Sequence, residues 1–431
     1  MITRSLIYQS LIDQLRAGML KYPEFLSQLE ARVALHEPDV LALLPEEDRF
    51  ARLFDEGEAL VLSYDLNKLP PLYGALVGVK DIFHVNGFIT QAGSQLPSDI
   101  LQGKEAESVA RLQIAGALIL SKTVTTEFAY FTPGPTHNPY QLEHTPGGSS
   151  SGSAAAVAAG FCHIALGTQT IGSIIRPAAF CGVVGFKPTY ERISRAGVIP
   201  LSPTFDHIGF FTPDVPTAIQ VAGVLIQNWK SDTPTRKPTL GIPEGPYLAC
   251  ASDYALDCFN DLCRSFTDAG YELRRVHVMD DYQEIRDRHD VIMSYDAAQV
   301  HKGWFAKYEN LYSQKFTDLI HRGQSVTSFR LQRALADRDI FRDQITKTMN
   351  DHQIDLWICP PAVGPAPKGL DATGDPVMCL PWTQAGFPAI NIPTTKTKEG
   401  LPMGLQVVGN WNEDEALLNW SATLEEVVGR L

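Results

Sequence analysis

The sequence predicts an α/β fold in a single large domain, and three observations carry that reading. Short apolar runs of strand length alternate with helically spaced stretches from about residue 70 onward. The strand-like runs resume after Asp355, so the C-terminal part returns to the same sheet instead of forming a second body. No internal repeat or low-complexity tract breaks the alternation.

Residues 1–65 read as an N-terminal helical segment. Leu11, Ile12 and Leu15, and then Phe25, Leu26 and Leu29, recur at spacings of three and four, the period that lines one helix face. The strand-like runs that follow are Ala75–Val79, Ala117–Leu120, His163–Leu166, Val183–Phe186, Thr239–Ile242, Leu356–Ile358, Ala389–Ile392 and Leu405–Val408. Pro and Thr cluster at Asp232–Pro238, and from about 230 to 350 charge and helical spacing increase. That stretch is expected to be a helical insertion within the one domain, open to a role as a lid.

Composition narrows the function classes. The 431 residues are 44% hydrophobic, enough for a large core, and 36 basic against 49 acidic residues give a formal net charge of −13. Such a chain is repelled by phosphate backbones and anionic lipid, so neither nucleic acid nor membrane is an expected partner. No apolar run is long enough to cross a bilayer, and Met1 to Arg16 mixes Arg, Gln and Asp with its apolar residues. A cytoplasmic protein without a signal peptide is expected. The seven cysteines form no CxxC pair, which suits reduced thiols. The histidines form no HExxH motif, and His84 and His137 lack a second ligand at metal-like spacing, so no metal and no cofactor is expected.

Three segments carry chemistry. The first is Thr145–Gly160, TPGGSSSGSAAAVAAG, a Gly/Ser loop running into an alanine-rich helix. A flexible linker is one reading, but a linker is not followed at once by a buried helix and strand. A phosphate cradle is another, yet there is no GxxxxGK[ST] and no Lys or Arg between Lys122 and Arg176. A third takes Gly148 to Gly152 as GxSxG with Ser150 as nucleophile, but the preceding PYQLEHTP is no buried strand. The second segment, Gly167–Arg176 (GTQTIGSIIR), follows the apolar run Ile164–Leu166 and places Ser173 where a strand gives way to a turn. Backbone N–H groups from Thr170 to Ser173 are placed to share one concavity, as an oxyanion hole requires. The third is Lys80 in LVGVKDIF, where strand alternation puts Lys80 on one face with Gly78 and Ile82, away from Asp81. A lysine among apolar residues either pairs with an acid or loses its proton, and the neutral amine is a base. Taken singly, a structural turn serine and a snorkelling surface lysine remain open readings.

Taken together and in order, these segments resemble the amidase signature family. Its pattern is a Lys within VKD, a Gly-Gly-Ser-Ser-Gly-Gly-Ser loop, and a Gly-Thr-Asp-Thr-Gly-Gly-Ser loop closed by Pro-Ala and Gly-Leu-Lys-Pro-Thr. The match continues through Ile193–Ser202, Phe205–Gly209, Gly386–Pro393 and Gly400–Gly409, and is weakest between Asn228 and Asp351. The resemblance implies a central mixed, mostly parallel β-sheet covered by helices on both faces. It places the base on Lys80, a cis-serine on Ser149 after a cis peptide from Gly148, the nucleophile on Ser173 and the oxyanion hole on the backbone of Thr170, Ile171, Gly172 and Ser173. In four places the chain departs from the pattern. Ser151 replaces a loop glycine, Gln169 the usual Asp and Ile171 a glycine, and Arg176 follows Ser173 by three residues where two is common. Ile171 is expected to narrow the substrate site.

The implied reaction is hydrolysis of amide-type C–N bonds through an acyl-enzyme on Ser173, activated by Lys80 through Ser149. Small uncharged amides, aryl amides, carbamates or esters are the expected substrates, with Tyr130, Phe131 and Trp382 as candidate pocket walls, and a homodimer is left open. The alternatives are a catalytically silent scaffold and an amidotransferase-type subunit.

Overall fold

The computed structural model describes the whole chain except residues 1, 4, 5, 66, 231–234, 430 and 431. The start of the Pro- and Thr-rich stretch, 232–234, therefore lies outside the described residues. Runs too short for stable helices pair instead into one sheet. In chain order the strands are β1 (Leu76–Lys80), β2 (Leu118–Thr123), β3 (Ile164–Gln169), β4 (Val184–Lys187), β5 (His207–Thr212), β6 (Leu240–Glu244), β7 (Leu273–His277), β8 (Leu356–Cys359), β9 (Ala389–Lys396) and β10 (Pro402–Gly409). Their order across the sheet is β2-β1-β3-β5-β4-β9-β10-β8-β6-β7. Each of the eight expected runs falls on one of these strands.

The sheet is mixed. Parallel pairs form its two wings, β2-β1-β3 and β8-β6-β7, and the pairs between β3 and β8 are antiparallel. In β1, β3, β4, β5 and β8 every residue is buried, so both faces of the sheet are covered there.

Two strands lack a counterpart among the expected runs, for different reasons. β5 (HIGFFT) is central, but His207 and Gly209 interrupt its apolar run. β7 (LRRVH) is the sheet edge, where only Val276 is buried, so it carries no apolar signature at all. Both β6 and β7 fall inside the stretch expected to be a helical insertion. The insertion is thus part sheet, and its continuous helical part begins at Tyr282, with helices Tyr282–Val300, Lys302–Tyr308, Gln314–Gln324 and Ser328–Asp351.

The N-terminal segment is helical as expected, at Tyr8–Arg16, Tyr22–Val40 and Arg49–Ser63. The first buries Tyr8, Leu11, Ile12 and Leu15, one face of the helical period. Hydrogen bonds as well as apolar contact dock the first two of these helices: the Tyr8 hydroxyl donates to Tyr73 O at 3.1 Å and the Tyr22 hydroxyl to Gly74 O at 2.9 Å, just before β1. Among the described residues no helix is long and apolar enough to cross a membrane.

Candidate active site

β1 and β3 are parallel neighbours, with Val79 beside Leu166, so their C-terminal ends open on the same edge of the sheet. In open α/β sheets that edge is where ligands bind. Lys80 ends β1, and its ammonium nitrogen reaches Thr168 Oγ1 of β3 at 2.8 Å and Ser149 Oγ at 2.7 Å. It is fully buried. Burial holds Lys80 well below the ordinary lysine range, the carboxyl of Asp206 pulling weakly the other way. Asp206 itself is pushed up to about 6 by burial.

Alternation along β1 turns the next side chain away. Asp81 pairs instead with Lys122 of β2 at 2.7 Å, and its second oxygen accepts from Ala92 N at 2.9 Å and Gln91 N at 3.1 Å. Among the described residues Lys80 is left with two neutral hydroxyl partners.

Ser149 follows a cis peptide from Gly148, as the resemblance implied. Neighbouring segments hold it through its backbone: its carbonyl accepts from Thr126 N at 3.2 Å, and Arg176 donates to Gly148 O at 2.7 Å. Gly147 has φ +83°, and a Cβ there would lie 2.8 Å from Pro177 Cα, so only glycine fits between the loops. The helix Ser151–Ala158 that follows is buried along its whole length. Its small residues allow close approach; a Cβ on Gly152 would lie 2.3 Å from Ala42 O.

Ser150 is not poised to react. Its hydroxyl is buried against β3, donating to Thr168 O at 3.3 Å and accepting from Thr168 N at the same distance, which disposes of the GxSxG reading. Ser173 lies in the turn between β3 and the helix Ile175–Cys181 and is 8% exposed. Among the described residues none accepts from the backbone N–H of Ile171, Gly172 or Ser173. A buried lysine, the serine hydroxyl it contacts, a second serine in a turn and backbone donors without an acceptor among the described residues thus lie on neighbouring loops at one edge of the sheet, groups of the kind acyl transfer uses.

A family model described as Amidase matches residues 50–250 and 267–418. The chain belongs to the amidase signature family. A glutamyl-tRNA(Gln) amidotransferase subunit of Oleidesulfovibrio alaskensis is 30% identical over 96% of this chain and 96% of its own length. The protein of the same name from Geotalea daltonii is 28% identical over 98% and 97%. Among solved structures, one described as an amidase superposes with a TM-score of 0.89 at 29% identity, covering 98% of this chain and 100% of that one. The native peptide amidase of Stenotrophomonas maltophilia shares the fold, with a TM-score of 0.81 at 23% identity over 99% and 98%. Membership makes the chain an amidase-family hydrolase.

The departures of this amidase from the family pattern find definite places. Gln169 is fully buried, its Oε1 accepting from Ile174 N at 2.8 Å and Ile175 N at 3.0 Å and its Nε2 donating to Thr383 Oγ1 at 2.9 Å. Ile171 has no positive φ and packs within the main core cluster, with its carbonyl bonded to Thr383. Ser151 opens the alanine-rich helix, and its hydroxyl donates to Val124 O at 3.4 Å. Arg176 is buried and also donates to Thr373 Oγ1 at 3.1 Å; burial lowers it to about 10.

Of the three expected pocket walls, Tyr130 and Phe131 are half-buried and in edge-to-face contact, on the segment that follows Thr126. Arg322 of the helical insertion donates to the Tyr130 hydroxyl at 3.1 Å. Trp382 requires correction. It is fully buried, donates to Tyr247 Oη at 2.9 Å and packs against Trp357, so it belongs to the core. A buried indole N–H needs an acceptor, and Tyr247 supplies it from inside the fold. Three further residues meet the site without having been named from the sequence: Thr168 and Asp206, which lie inside the matched segments Gly167–Arg176 and Phe205–Gly209, and Thr383, which lies in none. Among the described residues no group of three or more His, Cys, Asp or Glu comes together in a way that could hold a metal ion.

Proposed function

We propose that this amidase cleaves amide-type C–N bonds as a free-standing hydrolase, with Ser173 as nucleophile, Ser149 as proton bridge and Lys80 as base. The observation that carries the reading is the Lys80 amine, fully buried, without an ion pair among the described residues, 2.7 Å from Ser149 Oγ. In its neutral form it donates to Thr168 and accepts from the Ser149 hydroxyl. The Ser149 proton moves to Lys80, the Ser173 proton moves to Ser149, and Ser173 Oγ bonds to the acyl carbon. The oxyanion is held by N–H groups of the Thr170–Ser173 loop. Returned along the same path, the proton reaches the leaving nitrogen as the C–N bond breaks, and water then frees the acyl group from Ser173. Small uncharged amides, aryl amides, carbamates and esters are the substrate classes, with Tyr130 and Phe131 as pocket walls.

A fluorophosphonate probe is expected to label the wild-type chain and not Ser173→Ala, and Ser173→Ala is expected to lose turnover of every substrate the wild type accepts. Turnover kept by Ser173→Ala ends the proposal, and an unlabelled wild type favours a silent scaffold. The amidotransferase subunits at 28–30% identity motivate a second reading, in which this chain releases ammonia from an amide donor for a partner. Including glutamine among the substrates separates the two. Glutamine cleavage that needs a co-purifying subunit favours the second.

A further inference from the structure

An oxyanion loop works only if its N–H groups are aimed before the charge appears. Here the loop from Thr170 to Ser173 is clamped from outside by one side-chain amide. Gln169 Oε1 accepts from Ile174 N and Ile175 N, at 2.8 and 3.0 Å, just beyond the loop. Those two backbone donors fix the amide's orientation: its oxygen must face them, so its nitrogen faces Thr383 Oγ1, at 2.9 Å. The Thr383 hydroxyl has a single proton, and its nearest acceptor is Ile171 O at 2.6 Å, with Cys379 O farther at 3.1 Å.

The carbonyl of Ile171 and the N–H of Gly172 are opposite ends of one planar peptide. Holding that carbonyl on Thr383 therefore turns the Gly172 N–H to the other side, where no described residue accepts from it. Gly172 is closely covered as well, since a Cβ there would lie 3.0 Å from Pro376 Cβ and 3.2 Å from Cys379 Cβ. A carboxylate at position 169 would still accept from Ile174 N and Ile175 N. It would also accept from Thr383, drawing the hydroxyl proton off Ile171 O and releasing the peptide. The amide of Gln169 cannot do this, because it presents a donor.

We infer that Gln169 and Thr383 are positioning residues that aim the Gly172 N–H of the oxyanion loop, Gln169 by leaving Thr383 only backbone carbonyls to donate to, of which Ile171 O is the nearer. The inference rests on the proposed role of Ser173. Its test compares Thr383→Val, which keeps the shape and removes the hydroxyl, with Thr383→Ser, which keeps the hydroxyl, and with Gln169→Glu. The readouts are kcat and KM for an aryl amide, and the maximal rate and half-saturating concentration of fluorophosphonate labelling.

Thr383→Val and Gln169→Glu are each expected to lower kcat and the maximal labelling rate by about 10- to 100-fold, with KM and half-saturation within about threefold. Thr383→Ser is expected to stay within about threefold of wild type, and the double variant to be little worse than its weaker parent, because the two residues act in one chain. Should the buried carboxylate of Gln169→Glu prevent folding, the Thr383 pair decides alone. Wild-type kcat in Thr383→Val, a loss confined to KM, or Thr383→Ser as impaired as Thr383→Val overturns the inference. A Ser173→Ala control run alongside separates the two levels: if it stays inactive while Thr383→Val is unaffected, only the inference falls, and if it turns over, the proposed function falls too.

Discussion

Two buried lysines stand on neighbouring strands and are held in opposite ways. Lys122 of β2 lies 2.7 Å from Asp81 Oδ1 and 3.1 Å from Thr90 Oγ1, so its charge is answered by a carboxylate. Lys80 of β1, beside Thr123 in the register, meets among the described residues only the hydroxyls of Ser149 and Thr168. Burial lowers both ammonium groups, but only Lys80 lacks a direct counter-charge and is held well below the lysine range. The contrast shows how two consecutive residues, Lys80 and Asp81, can serve different ends: Asp81 completes an ion pair while Lys80 stays without one. Alternation sends Lys80 and Asp81 to opposite faces, so the acid nearest Lys80 in sequence neutralises a different lysine.

The largest effect that sharpens this comparison is expected from Lys80→Met. It should lower kcat/KM at least about 100-fold while the chain stays folded, since it removes a base and no ion pair. Rate assays and a thermal melt on the same preparation check both parts, and full activity or an unfolded chain would break the contrast. Lys122→Met should do the reverse. Leaving Asp81 buried without its partner is expected to cost about 3–5 kcal/mol of stability, read from denaturant unfolding, with kcat of the folded enzyme within a few-fold of wild type.

The pH profile comes next in size. Only the neutral amine accepts a proton, so kcat/KM should rise with pH through a limb set by Lys80, with its midpoint below the ordinary value of 10.5. Stability should rise over the same window, between the lowered folded pKa and 10.5, because there the unfolded chain binds a proton that the folded chain does not. Lys122→Met should keep the activity limb; its disappearance there would assign the limb to the wrong lysine. The smallest effect is expected from Asp206→Asn. The Asp206 carboxylate raises the Lys80 pKa, so removing it should move the limb to lower pH by less than about one unit. A shift to higher pH would contradict the electrostatic assignment.

Much of the site was legible because its chemistry sits in unusual local settings. Lys80 interrupts an apolar run, and Ser149 and Ser173 lie in glycine-rich loops at the ends of regular elements. Thr168 shares the Gly167–Arg176 segment with Ser173 and Asp206 sits in a matched motif, but each of these and Thr383 meets the site through a partner distant in sequence, as Thr168 does Lys80 and Thr383 does Ile171. A small neutral side chain in an ordinary strand or helix has no pattern of its own. Trp382 misled in the other direction, since an aromatic residue near shared motifs looks the same in sequence whether it lines a pocket or fills the core. The fold shows the same division between β4, a buried apolar run that announces itself, and β7, an edge strand whose arginines face solvent.

What the sequence determined by itself is the inventory and the local geometry: an α/β chain, a lysine facing away from its neighbouring acid, and two glycine-rich loops at helix starts. These follow from side-chain period, backbone freedom and composition, all properties of contiguous residues. Only the tertiary structure decided that Lys80 also meets Thr168, which acid lies near that lysine, and that Gln169 and Ile171 meet at Thr383. Those choices depend on strand order, parallel register and loop packing, through which residues far apart in the chain come within hydrogen-bonding distance, and no local pattern encodes that proximity.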